Sequence, residues 1–455
     1  MTTRTAGILR RKWAELQSTA SADPTVPTRR EEWMPAFRII LLLVSIDFSL
    51  SGLYMGAEMG HGLGLAGAIT ATVIGSAIVS ALSIPTAIVG AVTRLSTYMT
   101  VFRVFGRGGS SIINLCFAVF LLGWYAVTAD LLGTLLATTA GALTGGDWPR
   151  WAVSGVCSMG VVTTTVFGLR GISRVANIGV PLLLLLMIYL VVRSTSVTPL
   201  HTLMAQPISL AGVRSGVSAV VGSMIVGVAT MPDVTRYARS RAGSVTAAVV
   251  GNGAGLCISM IMMLIPPIAL HVQDPTRYLM LLGKPLLAVA VLLLATWPVN
   301  ALNLYSAGLV ASAVLPRVGY GRLVLLLGAA GTVAAMAGVG VHLMAFLDIL
   351  GFMAAPIAGV YIADFFVLRR RAAAAPSHRA GDLTNLSALT ATAAGCALGA
   401  LSNFRPLPFT VSSAVDSFVA AALLYLALER VRSALGVDRL WRRAGNPAHS
   451  SHGAS

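Results

Sequence analysis

Trp297-Pro298-Val299-Asn300 stands inside an apolar run, 284–314, long enough to cross a bilayer. A proline, an indole and an amide are costly at that depth. Pro298 has no N–H, so the carbonyl of Leu294, four residues back, loses its helical partner. In hydrocarbon such a group must face protein or a cavity. The motif predicts a broken helix over a water-accessible space. Leu294 then becomes an acceptor for a substrate donor or a ligand for a cation.

The rest of the chain is built the same way. Hydrophobic residues make up 56% of its 455 residues, charged residues 11%, and mean hydropathy is +0.82; soluble domains carry about 25% charged residues. About twelve runs reach the ~20 apolar residues that a span needs. They are 36–60, 64–92, 109–138, 150–169, 175–194, 212–231, 244–272, 284–314, 320–341, 343–368, 385–402 and 412–432. This is an all-α polytopic membrane protein, with a transmembrane domain over 36–434 between polar tails at 1–35 and 435–455. The first tail lacks the apolar core of a signal peptide.

The net charge of +16 is explained by its placement. With an even number of spans and the N-terminus inside, about 26 of the 32 Lys and Arg fall on the inner side and about six outside. That pattern predicts a plasma (inner) membrane protein with both termini cytoplasmic, next to anionic lipid. No nucleic-acid partner is needed to explain the charge. Cys116, Cys157, Cys257 and Cys396 lack metal-ligand spacing and read as packing residues. The chain has no His-Glu-x-x-His, no Asp-Asp-x-x-Asp and no Gly-x4-Gly-Lys-Ser/Thr. An enzyme, an ATP-driven motor and a bound cofactor are therefore not expected.

Two spans carry paired glycines near mid-depth, Gly52 with Gly56 and Gly222 with Gly227. Each glycine costs a helix about 1 kcal/mol relative to alanine, and the second span goes on to Met231-Pro232-Asp233. Gly52 and Gly222 stand about 170 residues, or five spans, apart, as do Trp124 and Trp297. Broken segments at matching positions of two halves point to a transporter site.

Candidate site residues follow. Asp47 precedes the first break, and an ionised Asp at mid-bilayer costs at least about 2.5–3.5 kcal/mol, so it is a candidate to hold and release a proton. Trp124, Tyr54 and Trp297 offer faces for a planar ring. Asn300 and Asn303 offer donors and acceptors for a heterocycle edge. Asp130, six residues after Trp124, points to a neighbouring helix and reads as structural. Asp233 and Arg236 form an i, i+3 pair at the inner end of the sixth span, suited to a cytoplasmic gate.

These pieces, in this order, resemble the nucleobase–cation symporter family that includes bacterial cytosine permease. The resemblance rests on Gly60-His61-Gly62-Leu63, Phe105-Gly106-Arg107-Gly108-Gly109-Ser110, Gly123-Trp124-Tyr125, Val221-Gly222-Ser223 with Asp233-Val234-Thr235-Arg236-Tyr237, Trp297 to Asn300 with Leu304 to Leu309, and Ile362-Ala363-Asp364-Phe365-Phe366. It covers roughly 36–430. It implies a leucine-transporter-like fold of twelve helices: inverted five-helix repeats at about 36–195 and 208–368, and two further helices at about 385–432. It also implies a small heterocyclic substrate, cytosine or a purine among others, held between spans 1, 3, 6 and 8 and driven by sodium or protons. The family's stacking tryptophan corresponds to Trp124 and its span-8 amide to Asn300.

Three departures stand out. Where cytosine permeases follow the span-8 tryptophan with two sodium-ligating threonines, this chain has Pro298 and Val299, which lack side-chain oxygens. The glutamine one turn before Trp124 is Leu121, and a Phe-x-Ser pattern after Ser223 is Met224-Ile225-Val226. The pocket reads as more apolar than one for cytosine, with Met224 able to pack on a ring face. The expected driving force is a proton gradient or none.

Overall fold

The computed structural model describes residues 27–167, 169–205, 208–272, 274–281, 285–315, 317–368, 384–404 and 409–435. Most of both tails, Lys284, Arg405 and the basic cluster at 369–371 lie outside the described residues. Within them the structure is helical, with one isolated β-bridge, between Met34 and Ala238. Six helices of the described residues are long and apolar enough to cross a membrane by length and composition.

The first span is broken. α1 (Ala36–Asp47) ends at Phe48, and Phe48 and Ser49 are extended. α2 (Leu50–Thr93) then starts under Ser49, whose hydroxyl accepts from the Gly52 amide, as an N-cap serine does. The interruption is therefore made by a capping serine and not by the glycines at 52 and 56. Gly56 instead lets α2 lie against the backbone of Met263, 2.7 Å from where a Cβ would stand, the close approach that small residues give membrane helices. A kink at Gly64 (φ 67°) divides α2 into two helical pieces, 50–63 and 65–93. α3 (Thr97–Thr144) turns likewise at Gly106 (φ 73°).

α4 (Arg150–Phe167), α5 (Leu169–Val197) and the short α6 (Leu200–Met204) follow. α7 (Leu210–Ala229) and α8 (Met231–Thr235) are separated at Thr230, where Pro232 starts the second piece. Gly222 and Gly227 sit inside α7, so this break also lies further along the chain than the glycines imply. α9 (Arg241–Leu270) contains a π-type stretch, Ala248–Gly255. After α10 (Pro275–Leu281) comes α11 (Pro285–Val314), which carries Pro298 without a break. The broken helix expected at Trp297–Asn300 is not observed. Proline removes one hydrogen bond, but α11 is packed along α3 and α5, and neighbouring helices hold such a segment in line.

α12 (Tyr320–Met336), α13 (Val339–Leu368), α14 (Leu386–Phe404) and α15 (Ser413–Ala434) complete the bundle. α2, α7, α9 and α13 make its centre, and α14 and α15 pack on α13. Asp130 of α3 accepts from Ser154 Oγ of α4 at 3.1 Å and from the Gly340 amide of α13 at 2.7 Å. It braces three elements, as its position on the helix predicts.

Candidate functional site

Four of the sequence-predicted residues meet at one cavity in the bundle centre. Gly52, Trp124, Ser223 and Met224 line it together with Ser49, Ser51, Met55, Met260, Leu343 and Leu347. The break in span 1 supplies its hydroxyl edge. Ser49 Oγ lies 3.0 Å from Ser51 Oγ, while Ser223 donates to the carbonyl of Val220 at 2.8 Å. The other walls are thioethers, leucines and an indole. The cavity has about 20 Å³ open to water, room for about one water molecule. Anything larger enters only if the walls move. Met55, Met224 and Met260 are suited to this, because unbranched thioether side chains repack at low cost.

α13 covers the cavity through Leu343 and Leu347. Its Phe346 meets Trp124 edge-on, with centroids 5.3 Å apart and an interplanar angle of 82°. Two glycines make that cover possible. A Cβ on Gly222 would fall on the carbonyl oxygen of Leu347, and one on Gly123 would stand 2.6 Å from the Phe346 ring. Phe346, Met55, Met260, Leu343 and Leu347 were not among the sequence candidates. Met55 follows Gly52 by one helical turn, a usable signal; the α13 residues offer none, because only the packing of distant helices brings them here.

The span-8 residues stand elsewhere. Trp297 turns to α4: its Nε1 donates to Thr164 Oγ1 at 3.0 Å and its ring fills the space over Gly160. It is a tie between helices and does not stack in the cavity. Asn300 is fully buried, with neither amide atom hydrogen-bonded, as is the hydroxyl of Thr296 one turn before it. Buried amides without partners are rare. Asn303, Leu294, Leu121 and Tyr54 are half-buried and outside the cavity lining, and Pro298 is buried. Asp47 is buried at the end of α1 with no hydrogen bond to its carboxyl.

In α8, Asp233 does not serve chiefly as the i, i+3 partner of Arg236. Its Oδ1 takes the Thr97 amide at 2.8 Å, tying α8 to the start of α3. Arg236 donates to Tyr237 Oη at 2.9 Å, and its carbonyl accepts from Thr28 Oγ1 and Arg94 Nη1. Met34 pairs with Tyr237 and Arg239 through backbone bonds, and Trp33 lies 3.9 Å under the Arg94 guanidinium. The segment before α1 is thus strapped to the chain after α8 and to the end of α2.

The comparisons agree with this architecture. A family model described as permease for cytosine/purines, uracil, thiamine, allantoin matches residues 25–423. Cytosine permease of Escherichia coli (strain K12) is 27% identical over 404 residues, covering 86% of this chain and 90% of the relative. Among solved structures, the inward-facing conformation of Mhp1 matches with a TM-score of 0.75 at 22% identity, over 91% of this chain and 94% of that one. Mhp1 in a closed conformation with bromovinylhydantoin bound, a nucleobase-cation-symport-1 family transporter, gives 0.72 at 21%, over 91% and 96%. A Na+-coupled sialic acid symporter gives 0.62 at 14%, over 92% and 94%.

Proposed function

This chain belongs to the family of permeases for cytosine/purines, uracil, thiamine and allantoin, and we propose that it carries a nucleobase-like heterocycle, such as cytosine or a purine, by alternating access. It is a membrane permease and not an enzyme. The observation that carries the substrate reading is the convergence of the span-1 break, Trp124, Ser223 and Met224 on one cavity. Trp124 and Met224 sandwich the ring, Ser51, Ser223 and the backbone near Gly52 read its edge, and Asn300 turns to it once the cavity widens. Tyr54, Asn303 and Leu121 shape the surroundings. The likeness to cytosine permease supports a pyrimidine-sized ring.

In this reading the domain over 36–434 crosses the plasma membrane twelve times with both termini cytoplasmic, as inverted repeats of five helices followed by α14 and α15. Asp233, Arg236, Trp297 and Pro298 serve gating and packing. Transport is proton-coupled through Asp47 or ion-independent, because Pro298 and Val299 offer a sodium ion no side-chain oxygen; the carbonyl of Leu294 remains available to a cation. Uptake of labelled bases into proteoliposomes under imposed proton or sodium gradients tests it. Acceleration by an inward proton gradient, or equal uptake without gradients, is expected. Strong sodium stimulation with no effect of pH overturns the coupling, and no uptake of any base in a broad panel overturns the substrate class.

A further inference from the structure

Asp47 ends α1 with 1% of its surface exposed, and neither carboxyl oxygen has a hydrogen-bond partner. It is not part of the substrate cavity. It faces α9. A Cβ on Gly255 would stand 3.4 Å from Asp47 Oδ2, 3.2 Å from the Val250 carbonyl oxygen and 2.6 Å from Val44 Cγ2. The carboxyl, that carbonyl and the Val44 methyl therefore meet around one point, which they can share because residue 255 has no side chain. Gly255 closes the π-type stretch Ala248–Gly255, and such turns recur at functional sites.

α2 brings hydroxyls to the same stretch. Ser76, Ser80 and Ser83 follow one another about a turn apart, so they share one helix face. Ser83 Oγ accepts from Asn252 Nδ2 at 2.9 Å, and Ser80 Oγ lies 3.0 Å from where a Cβ on Gly253 would be. Ser76 lies beside Cys257. Thr72, one turn further, is fully buried, and its hydroxyl has no partner. Residues 65–93 of α2 and 242–270 of α9 contain no Asp, Glu, Lys, Arg or His, so Cys257 is the titratable group they bring closest. Glu58, before the Gly64 kink of α2, is exposed.

No cation faces the Asp47 carboxyl from these helices, and an ionised carboxylate buried without a partner is strongly disfavoured. A protonated carboxyl needs one acceptor, which the Val250 carbonyl supplies through its second lone pair. A sodium ion needs several oxygens at once, and no hydroxyl of α2 is bonded to the carboxyl. We propose that the meeting of α1, α2 and the π-type stretch of α9 is a dedicated proton-binding site, separate from the substrate cavity. Asp47 holds the proton there against the Val250 carbonyl beside Gly255. This rests on the proton-coupled reading above. On release the O–H bond of Asp47 breaks and the proton passes to water, leaving a carboxylate. That charge must turn toward water, so α1 shifts against α9. Ser49 and Ser51, two and four residues on, carry the shift to the cavity edge.

Infrared difference spectra of the purified protein in lipid nanodiscs, titrated with pH, test the site without any substrate. The parent protein is expected to show a protonated-carboxyl C=O band that Asp47→Asn removes. Val44→Ala/Gly255→Ala places a methyl between the two oxygens and makes room for it on α1. It is expected to move the midpoint of that band by about one pH unit, a tenfold change in proton binding, while Val44→Ala alone leaves it in place. If Asp47→Asn leaves the carboxyl bands intact, Asp47 holds no proton, and both this site and coupling through Asp47 fall. If Asp47→Asn removes the band but the double variant titrates like Val44→Ala, the site beside Gly255 falls and Asp47 stands as the coupling group.

Discussion

Replacing Gly222 by alanine places a methyl group on the carbonyl oxygen of Leu347, where α7 and α13 meet backbone to backbone. The obstacle is main chain inside a helix, so it cannot swing aside, and α13 must move as a body. Overpacking of this kind costs about 1–3 kcal/mol, against which alanine returns at most about 1 kcal/mol of helix propensity. With the full return the net loss is about 0–2 kcal/mol, and because the methyl meets main chain the upper part of that range, a few degrees in apparent melting temperature, is expected. Gly123→Ala is the internal control, because the atom it meets, 2.6 Å away, belongs to the rotatable ring of Phe346. There the propensity gain and the cost of turning the ring roughly cancel, for a change within about 0.5 kcal/mol. Both variants can be followed by thermal unfolding in nanodiscs, with stabilisation by added bases as a second readout. Gly222→Ala is expected to lose stability and weaken base binding, since Leu343 and Leu347 cover the cavity next to Ser223. Equal stability and equal binding in Gly222→Ala and the parent would refute the close approach of α7 and α13.

Trp124→Ala is expected to abolish thermal stabilisation by bases and to lower stability by about 3–5 kcal/mol through the void it leaves. Unchanged stabilisation by bases removes Trp124 from the site. Asn300→Ala should leave the resting protein as stable or more so, since its amide is buried without partners, while base binding weakens; intact binding takes Asn300 out of the substrate path. Trp297→Phe loses the bond to Thr164, worth about 0.5–1.5 kcal/mol, with base binding unaffected; a selective loss of binding would place the indole back in the site. Pro298→Ala returns a donor to the Leu294 carbonyl and is expected to raise the melting temperature, for about 3 kcal/mol separates the two residues in a helix interior; a lower melting temperature refutes the account of α11 as a continuous helix carrying one missing bond.

Much about this protein is legible without coordinates. The apolar runs establish a membrane bundle, because bilayer thickness dictates their length, and Gly123-Trp124 and Ser223-Met224 mark cavity residues by placing an indole and a hydroxyl where hydrocarbon penalises them. Family membership is legible as well, since it rests on short motifs in order. The positions of the breaks are not. Glycine pairs lower helix propensity, but Ser49 and Pro232 interrupt the chain, and Gly56 and Gly222 are used for helix contact. Propensity is a local quantity, and it does not say which of several weak points a fold will open.

Trp297 to Asn300 shows the division most clearly. The sequence alone determines that Leu294 lacks a donor and that an amide lies at membrane depth, because both follow from covalent structure. Tertiary structure decides that α11 runs straight, that the indole turns to Thr164, and that Asn300 is sealed among helices. Those outcomes depend on which helix stands against each face of α11, and that is set by packing between segments more than a hundred residues apart. The surroundings of Asp47 are decided the same way: the carboxylate is visible in the sequence, whereas its place beside Gly255 exists only once α1 lies against α9.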